Sequence, residues 1–466
     1  MFRTIKLAAL VAILAATVAA AQASPVPIPT LTGPIPVTAQ SGEPFRGENE
    51  QPVAGPGLPL PILVPFGYIE EEYFVSGSVD GKPYLTSLLV RKPKDPAKFS
   101  GLVALETVHA QGAIPLWGSH EVWLKGGHAW VGVVSQLTAL QDHVKKFNPT
   151  RYSTLQLPDA SAPSPQSTPN PAADSAAQDL ISQAILTQVG ALLKSNSQNG
   201  AFAGETVKYL IMGGASQTGG TTLRYIAQSH STARMPDGKP IYDGYLPMEA
   251  LPSKPLPVVD AVVVHPVTEG DLMSAISLKR PVAFRADSDA PNDRYRHYQI
   301  TGSSHVGTRG ITDPKVVFST LANGVHPGEH LSQFPQAEVM RPIVYNFVEW
   351  LMKGVVPPTA PLIEMANGEI VRDEYGNAKG GVRSPYVDLP TVHYIASAPT
   401  TDGNPARRLI GLQEPIPVDT LRKLYKTRAN YLKRFDQGID AMVTARFLLR
   451  EDADHLKADE SKNPPF

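Results

Sequence analysis

The feature that most constrains the fold is an apolar segment that leads, through a cluster of small residues, into a helical pattern between residues 207 and 226. The apolar part, residues 207–212, has the composition of a strand buried on both faces. Ser216 stands at the turn, with Gly214 two positions before it and Gly219 three positions after it. A serine on so tight a strand-to-helix turn has a strained backbone and needs small neighbours, so the segment predicts a nucleophile elbow.

The elbow interpretation has two competitors when the residues are taken alone. The usual pattern, G-x-S-x-G, places glycine where this chain has Thr218. A phosphate-binding loop, G-x-x-x-x-G-K-[ST], fits from Gly214 to Thr221, except that Gly220 stands where the lysine is required. The other competitor is a glycine-rich turn with no chemical role.

A serine nucleophile also needs a carboxylate and a histidine base, which follow the serine in that chain order in hydrolases with this kind of elbow. Residues 261–271 form an apolar segment that ends in two carboxylates, Glu269 and Asp271. Residues 298–305 form a short strand-like segment that ends in a small-residue loop with His305 at its tip. Open parallel sheets bind their ligands just past the strand ends, so His305 is the expected base. The residues leave open which of the two carboxylates orients it.

Other titratable side chains in this region compete for the same roles. His265 lies within a predicted strand and is expected in the core, whereas His297 lies in a charged stretch and is expected at the surface. Asp289 is close to His305 in sequence, and we interpret it as part of a charged loop.

Negative charge that develops on a substrate oxygen needs N–H donors near the serine. The residue after the nucleophile supplies one in such elbows, which here is Gln217. The second is expected from the loop that follows the predicted strand at residues 101–109, with Ala110 as the candidate. Three apolar side chains are interpreted either as the lining of an acyl pocket or as core: Trp117, Trp130 and Met273.

The alternation of apolar segments and helical patterns predicts an α/β fold with a mostly parallel central sheet and helices on both faces. A helical stretch at residues 121–125 separates the apolar segments at 101–109 and 128–135, so these two are expected to be parallel neighbours. Further elements are predicted by the same criteria: strands at residues 68–76 and 83–91, and helices at residues 179–193, 339–352 and 418–456.

Proline-rich stretches set the expected boundaries. Residues 24–66 predict an extended N-terminal arm, followed by one α/β domain over residues 67–466 with a C-terminal extension. Residues 142–178 are expected to be an insertion, and the low-complexity part at 158–178 is interpreted as surface chain rather than a flap over the site. Pro342 is expected to be tolerated because it falls in the first turn of its helix.

The first 23 residues have the pattern of a secretory signal peptide. Arg3 and Lys6 precede an apolar stretch at residues 7–20, and Ala21 and Ala23 supply the small residues of a cleavage site. A membrane anchor needs about 20 apolar residues, which this stretch does not reach. We therefore expect cleavage after residue 23, no membrane span in the mature chain, and a periplasmic or secreted location.

The composition excludes several classes of partner. With 42 basic and 43 acidic residues the net charge is −1, which argues against nucleic acid and other partners bound through a strong charge field. The chain has no cysteine, which excludes Cys-ligated zinc, iron–sulfur clusters and thiol nucleophiles. No H-E-x-x-H motif occurs either. We therefore expect no metal and no cofactor, and the sequence indicates no oligomeric state.

The sequence resembles a family of exported bacterial proteins described as alpha/beta hydrolase domain-containing. The elbow of that family reads G-x-S-Q-S-G, and here it is Gly214-Ala-Ser-Gln-Thr-Gly219. The resemblance also rests on segments spread over almost all of the expected mature chain: residues 127–133, 151–155, 288–296, 302–305 and 380–385. It implies an α/β-hydrolase fold, a nucleophile at Ser216, a histidine at His305 and an acid within residues 268–271.

Together these expectations define a function. The chain is expected to be an exported serine hydrolase that cleaves small carboxylic esters through an acyl-enzyme. The competing hypotheses are a non-catalytic ligand-binding protein on the same fold, or an amidase or lactonase. Because His305 must be neutral to act as a base, activity is expected to fall below about pH 6.5.

Overall fold

The computed structural model describes most of the chain: residues 26–47, 60–161, 171–195, 200–311, 325–400, 403–463 and 465–466. The predicted signal peptide, residues 1–23, lies outside these ranges, as do residues 162–170 of the predicted insertion. Within the ranges, no helix combines the length and the apolar composition that a bilayer crossing requires.

A ten-stranded sheet forms the centre of the molecule, with the order β1-β2-β3-β5-β4-β6-β7-β8-β10-β9. Its strands are β1 Thr30–Thr32, β2 Tyr68–Val79, β3 Lys82–Pro93, β4 Leu102–Thr107, β5 Ala129–Val133, β6 Tyr209–Ala215, β7 Gly244–Met248, β8 Val262–Thr268, β9 Ser288–Ala290 and β10 Asp293–Ile300. Two small antiparallel pairs lie outside it: β11 Met365–Ala366 with β12 Glu369–Ile370, and β13 Val392–Ile395 with β14 Leu412–Pro415.

Six adjacent strands of the sheet, from β5 through β10 in spatial order, run parallel to one another. The predicted parallel pair is confirmed, since β4 and β5 align Val103 with Ala129. Every residue of β4 and β8 is buried, as expected for strands covered on both faces. The carboxyl ends of these strands therefore meet along one edge of the sheet.

The helices in chain order are α1 His120–Lys125, α2 Leu137–Ala139, α3 Lys145–Phe147, α4 Pro171–Lys194, α5 Gln217–Gln228, α6 Glu269–Ser277, α7 Gln336–Lys353, α8 Pro385–Asp388, α9 Val418–Tyr425, α10 Arg428–Thr444 and α11 Arg450–Lys462. A single π-helical turn, Leu140–Val144, joins α2 to α3. The predicted C-terminal helical region is confirmed as α9 to α11.

Two glycines of β6 show that helices cover both faces of the sheet. A Cβ on Gly213 would lie 3.1 Å from Leu116, in the 3-10 helix Pro115–Ser119 that forms the segment before α1, whereas one on Gly214 would lie 2.6 Å from Thr218 of α5. Successive strand residues point to opposite faces, so α5 and the segment before α1 lie on opposite sides. The predicted α/β architecture is confirmed.

The structure corrects two predictions about proline-containing segments. Helix α4 begins at Pro171 rather than at the predicted residue 179, so residues 171–178 of the predicted insertion are helical. Proline is tolerated in a first helical turn, and the alanines that follow it favour helix. Helix α7 begins at Gln336, so Pro342 lies in its second turn rather than its first. The buried residues of α7 compensate for the backbone hydrogen bond that this proline cannot make.

The prediction that His297 lies at the surface is wrong. Strand β10 begins at Asp293 rather than near residue 298, and it places His297 directly beside His265 of β8. Both histidines are buried, and His297 Nδ1 lies 2.8 Å from the His265 carbonyl oxygen. The prediction that His265 belongs to the core is confirmed.

Candidate active site

Ser216 forms the turn between β6 and α5, where its backbone has φ 58° and ψ −122°. A positive φ is unusual for a residue with a Cβ and stores strain. Two backbone hydrogen bonds hold the turn: the Ser216 N–H donates to the Met248 carbonyl at 3.1 Å, and the Gly220 N–H donates to the Ser216 carbonyl at 2.8 Å. The predicted strand, turn and helix are confirmed.

The small residues around Ser216 are required by close contacts. A Cβ on Gly219 would lie 2.2 Å from the Met248 carbonyl oxygen. This clash could be relieved only if the backbone at one of the two residues moved. Thr218 is fully buried. Its hydroxyl accepts a hydrogen bond from the Ala215 N–H at 3.0 Å and donates one to the Ala215 carbonyl at 2.9 Å. The site that must be glycine is therefore 219, and position 218 accepts a small hydroxyl residue.

The structure brings the predicted histidine to the predicted serine. His305 follows β10 in the loop at residues 301–305, and its Nε2 lies 2.8 Å from Ser216 Oγ. Its side chain is 13% exposed, so one edge of the imidazole can be reached from outside. The N–H of Gly270 donates to the Ser303 carbonyl at 3.0 Å and ties this loop to the start of α6.

Asp271, not Glu269, contacts the imidazole. Its Oδ1 lies 2.6 Å from His305 Nδ1, and its Oδ2 accepts from the Thr268 N–H at 2.9 Å. The Thr268 hydroxyl accepts in return from the Asp271 N–H at 3.1 Å, which completes a capping box at the start of α6. These bonds fix the carboxylate, so Ser216, His305 and Asp271 form one continuous hydrogen-bonded chain.

Glu269 points the other way and supports the backbone of the histidine loop. Its Oε2 accepts from the Gly302 N–H at 2.8 Å, and its Oε1 accepts from Arg372 at 3.0 Å. The third acid considered, Asp289, lies on β9 and pairs with Arg296 at 2.5 Å.

A further carboxylate, Glu249, was not identified from the sequence. It follows β7 directly, has φ 52°, and accepts a hydrogen bond from Gln336 Nε2 at 3.1 Å. The sequence signal was weak because β7 has only five residues and contains Pro247, which is uncommon inside a strand. An apolar segment ending in a carboxylate, midway between α5 and β8, is the pattern that could have indicated it.

These carboxylates set the protonation of the histidine. Burial lowers the pKa of His305, but the negative charges of Asp271 and Glu249 outweigh it and raise that pKa from 6.5 to about 9. Burial raises the pKa of Glu249 to about 7, and the charge of His305 opposes this rise. The site therefore stabilises an imidazolium, the form that a histidine adopts after taking a proton from serine.

The two residues predicted to supply the N–H donors are in contact. Gln217 is the first residue of α5, so its backbone N–H has no partner within the helix. The Ala110 N–H, in the loop after β4, donates to the side-chain Oε1 of Gln217 at 3.3 Å.

Two of the three candidate pocket residues belong to the core. Trp117 and Trp130 are buried with ring centroids 5.2 Å apart, and the Arg91 guanidinium lies over both rings. Met273 is half-buried, with its sulfur 3.4 Å from Arg372. Across the described ranges, no group of three or more His, Asp or Glu side chains is arranged to hold a metal ion.

A family model described as "Alpha/beta hydrolase domain" matches residues 31–458. No curated protein matches the chain in sequence.

Several solved structures of esterases are distantly similar. A structure of esterase Est22 is 14% identical with a TM-score of 0.24, and the alignment covers 48% of this chain and 54% of that one. The rice cell wall degrading esterase LipA from Xanthomonas oryzae is 12% identical with a TM-score of 0.23, over 73% of this chain and 70% of that one. The chain thus spans about half the length of the Est22 structure, and likenesses this low carry no information about substrate.

The two adjacent glycines of the elbow should respond differently to alanine. Gly219→Ala should lower the free energy of unfolding by about 2 kcal/mol or more, because its Cβ would collide with the Met248 carbonyl. At Gly220 the nearest atom to a Cβ is the end of the Arg224 side chain at 3.2 Å, so Gly220→Ala should be neutral or stabilising. Urea unfolding followed by far-UV circular dichroism measures both, and equal effects would contradict the contact.

Proposed function

Since this chain belongs to the alpha/beta hydrolase domain family, we propose that it is an exported serine hydrolase that cleaves small carboxylic esters. The observation that supports the proposal is the chain of hydrogen bonds from Ser216 Oγ through the His305 ring to Asp271, at 2.8 and 2.6 Å. A nucleophile, a base and an orienting group within such distances are the requirements of acyl transfer.

The mechanism follows from these positions. His305 Nε2 takes the Ser216 proton as Oγ attacks the ester carbonyl, and Asp271 stabilises the imidazolium that results. The N–H groups of Gln217 and Ala110 face the negative charge on the carbonyl oxygen. The alcohol leaves with the proton held by His305, and water then releases the acyl group by the same steps.

The proposal is tested with a fluorophosphonate probe and a panel of chromogenic aryl esters. Protein recovered from the periplasm or medium, expected to begin at Ser24, should bind the probe and hydrolyse the esters. Ser216→Ala should abolish both, whereas Ser229→Ala, at the other end of the same helix, should preserve both.

Protein that neither reacts with the probe nor hydrolyses any ester would instead fit a non-catalytic ligand-binding protein on this fold. Activity on amides but not on esters would indicate an amidase, and activity on lactones alone would indicate a lactonase.

The two carboxylates of α6 should have separable effects. Asp271→Asn should lower kcat by on the order of 10⁴, because the amide cannot hold the imidazole in the required tautomer. Glu269→Gln breaks a buried pair with Arg372, so it should lower the unfolding free energy by about 1–3 kcal/mol and change kcat much less. Steady-state kinetics and thermal unfolding of both variants distinguish the roles. A larger loss of kcat in Glu269→Gln would reverse the assignment.

The activity kcat/KM should fall on the acid side of its pH profile with a midpoint above pH 6.5, the midpoint expected for an unperturbed histidine. Below its pKa His305 is protonated and cannot accept the serine proton, and Asp271 and Glu249 raise that pKa to about 9. Glu249→Gln removes one negative charge, so the limb of kcat/KM should move to lower pH. Glu414→Gln, an exposed glutamate on β14, is the matched control. A limb that stays in place or moves to higher pH in Glu249→Gln would contradict the electrostatic role.

A further inference from the structure

In the loop after β4, three backbone N–H groups donate to acceptors within the loop and one donates to a residue outside it. The His109 N–H donates to the Ala113 carbonyl at 2.9 Å and the Gly112 N–H to the His109 carbonyl at 2.8 Å. The Gln111 N–H donates to His109 Nδ1 at 3.0 Å, and burial lowers the pKa of His109 to about 4, which keeps that nitrogen free to accept. These three N–H groups therefore all have acceptors within the loop. The Ala110 N–H, by contrast, donates to an acceptor outside the loop.

The acceptor of the Ala110 N–H is the side-chain carbonyl of Gln217, at 3.3 Å. This is longer than a typical N–H···O bond of about 2.9–3.0 Å. An oxyanion is a stronger acceptor than a neutral amide, because hydrogen bonds to a charged group are roughly twice as strong. A substrate oxyanion can therefore share or take this N–H at small cost, provided that the donor is already in place.

The Gln217 amide is itself held by a second glutamine. Gln217 Nε2 donates to Gln136 Oε1 at 2.5 Å, and Gln136 Nε2 donates back to Gln217 Oε1 at 3.1 Å. Gln136 Nε2 also donates to the Val108 carbonyl at 2.9 Å, at the start of the same loop. The amide pair thus closes a ring of hydrogen bonds between the start of α5, the end of β5 and the loop after β4.

We propose that the side chains of Gln217 and Gln136 are positioning residues that hold the Ala110 N–H opposite the backbone N–H of Gln217, so that the two donors form a preorganised oxyanion hole. The inference rests on the proposed function. Both donors depend on one residue, since Gln217 supplies the first from its backbone and places the second through its side chain. Such donors must lie about 2.7–3.1 Å from the developing charge, so a small displacement of the loop weakens catalysis.

The test is to break the ring without changing side-chain volume much. Gln217→Leu and Gln136→Leu should each lower kcat on an aryl ester roughly 10- to 100-fold, a part of the loss caused by removing a donor outright. KM should stay within about twofold of wild type, because the donors act on the transition state. An aryl trifluoromethyl ketone, which forms an oxyanion on Ser216, should bind more weakly by the same factor as kcat/KM falls. The double variant should be little worse than either single variant, because both break one ring.

Helix α5 offers a matched control. Gln228, at its far end, accepts a hydrogen bond from Gln183 at 2.8 Å, so Gln228→Leu breaks a similar amide pair away from Ser216 and should leave kcat unchanged. If Gln217→Leu unfolds, Gln136→Leu breaks the same ring from a different element. Near-normal or increased kcat in the single variants, or losses that simply add in the double variant, would overturn the inference. Wild-type protein inactive on every ester would overturn the proposed function, and the inference with it.

Discussion

The strained backbone of Ser216 is the constraint on which the site depends. A residue with a Cβ at positive φ costs on the order of 1–3 kcal/mol unless its surroundings hold it there. Here the end of β7 holds Ser216 in this conformation, because the Met248 carbonyl accepts a hydrogen bond from the Ser216 N–H. The same carbonyl lies so close to residue 219 that only glycine fits there. The next residue, Glu249, is strained in the same way, with φ 52°. One strand end therefore fixes both Ser216, the proposed nucleophile, and a carboxylate close to the histidine.

The parallel sheet explains how residues far apart in sequence reach this point. Strands β4, β6, β7, β8 and β10 end along one edge, and each contributes a residue just past its end. In strand order these are Ala110, Ser216, Glu249, Asp271 and His305. Most are fixed by backbone hydrogen bonds of turns and helix caps, so the positions of the proposed reacting groups follow from the sheet and its connections more than from side-chain packing.

The sequence was most informative where a short local pattern of residues fits only one kind of structure. The elbow at Ser216, the loop at His305 and the parallel pair of β4 and β5 were all predicted, because an apolar segment followed by small residues has few structural solutions. The choice between Glu269 and Asp271 stayed open, since it depends on the residue at which α6 begins. Thr268 and Asp271 form the capping box that decides this, and the pattern Thr-x-x-Asp is visible in the sequence. The incorrect expectation for His297 has a different cause: Arg296 beside it pairs with Asp287 and Asp289, which reduces the cost of burying a charged residue in this strand.

The two acids of α6 divide the support of His305 between them. Asp271 fixes the ring at Nδ1, while Glu269 fixes the backbone that carries the ring by accepting the Gly302 N–H and pairing with Arg372. Each does so from the first turn of one helix, whose start is set by Thr268 at the end of β8. The separation of 2.8 Å between His305 and Ser216 is thus determined at both ends by backbone geometry. A site built in this way is arranged before any ligand binds, which the proposed stabilisation of a transition state requires.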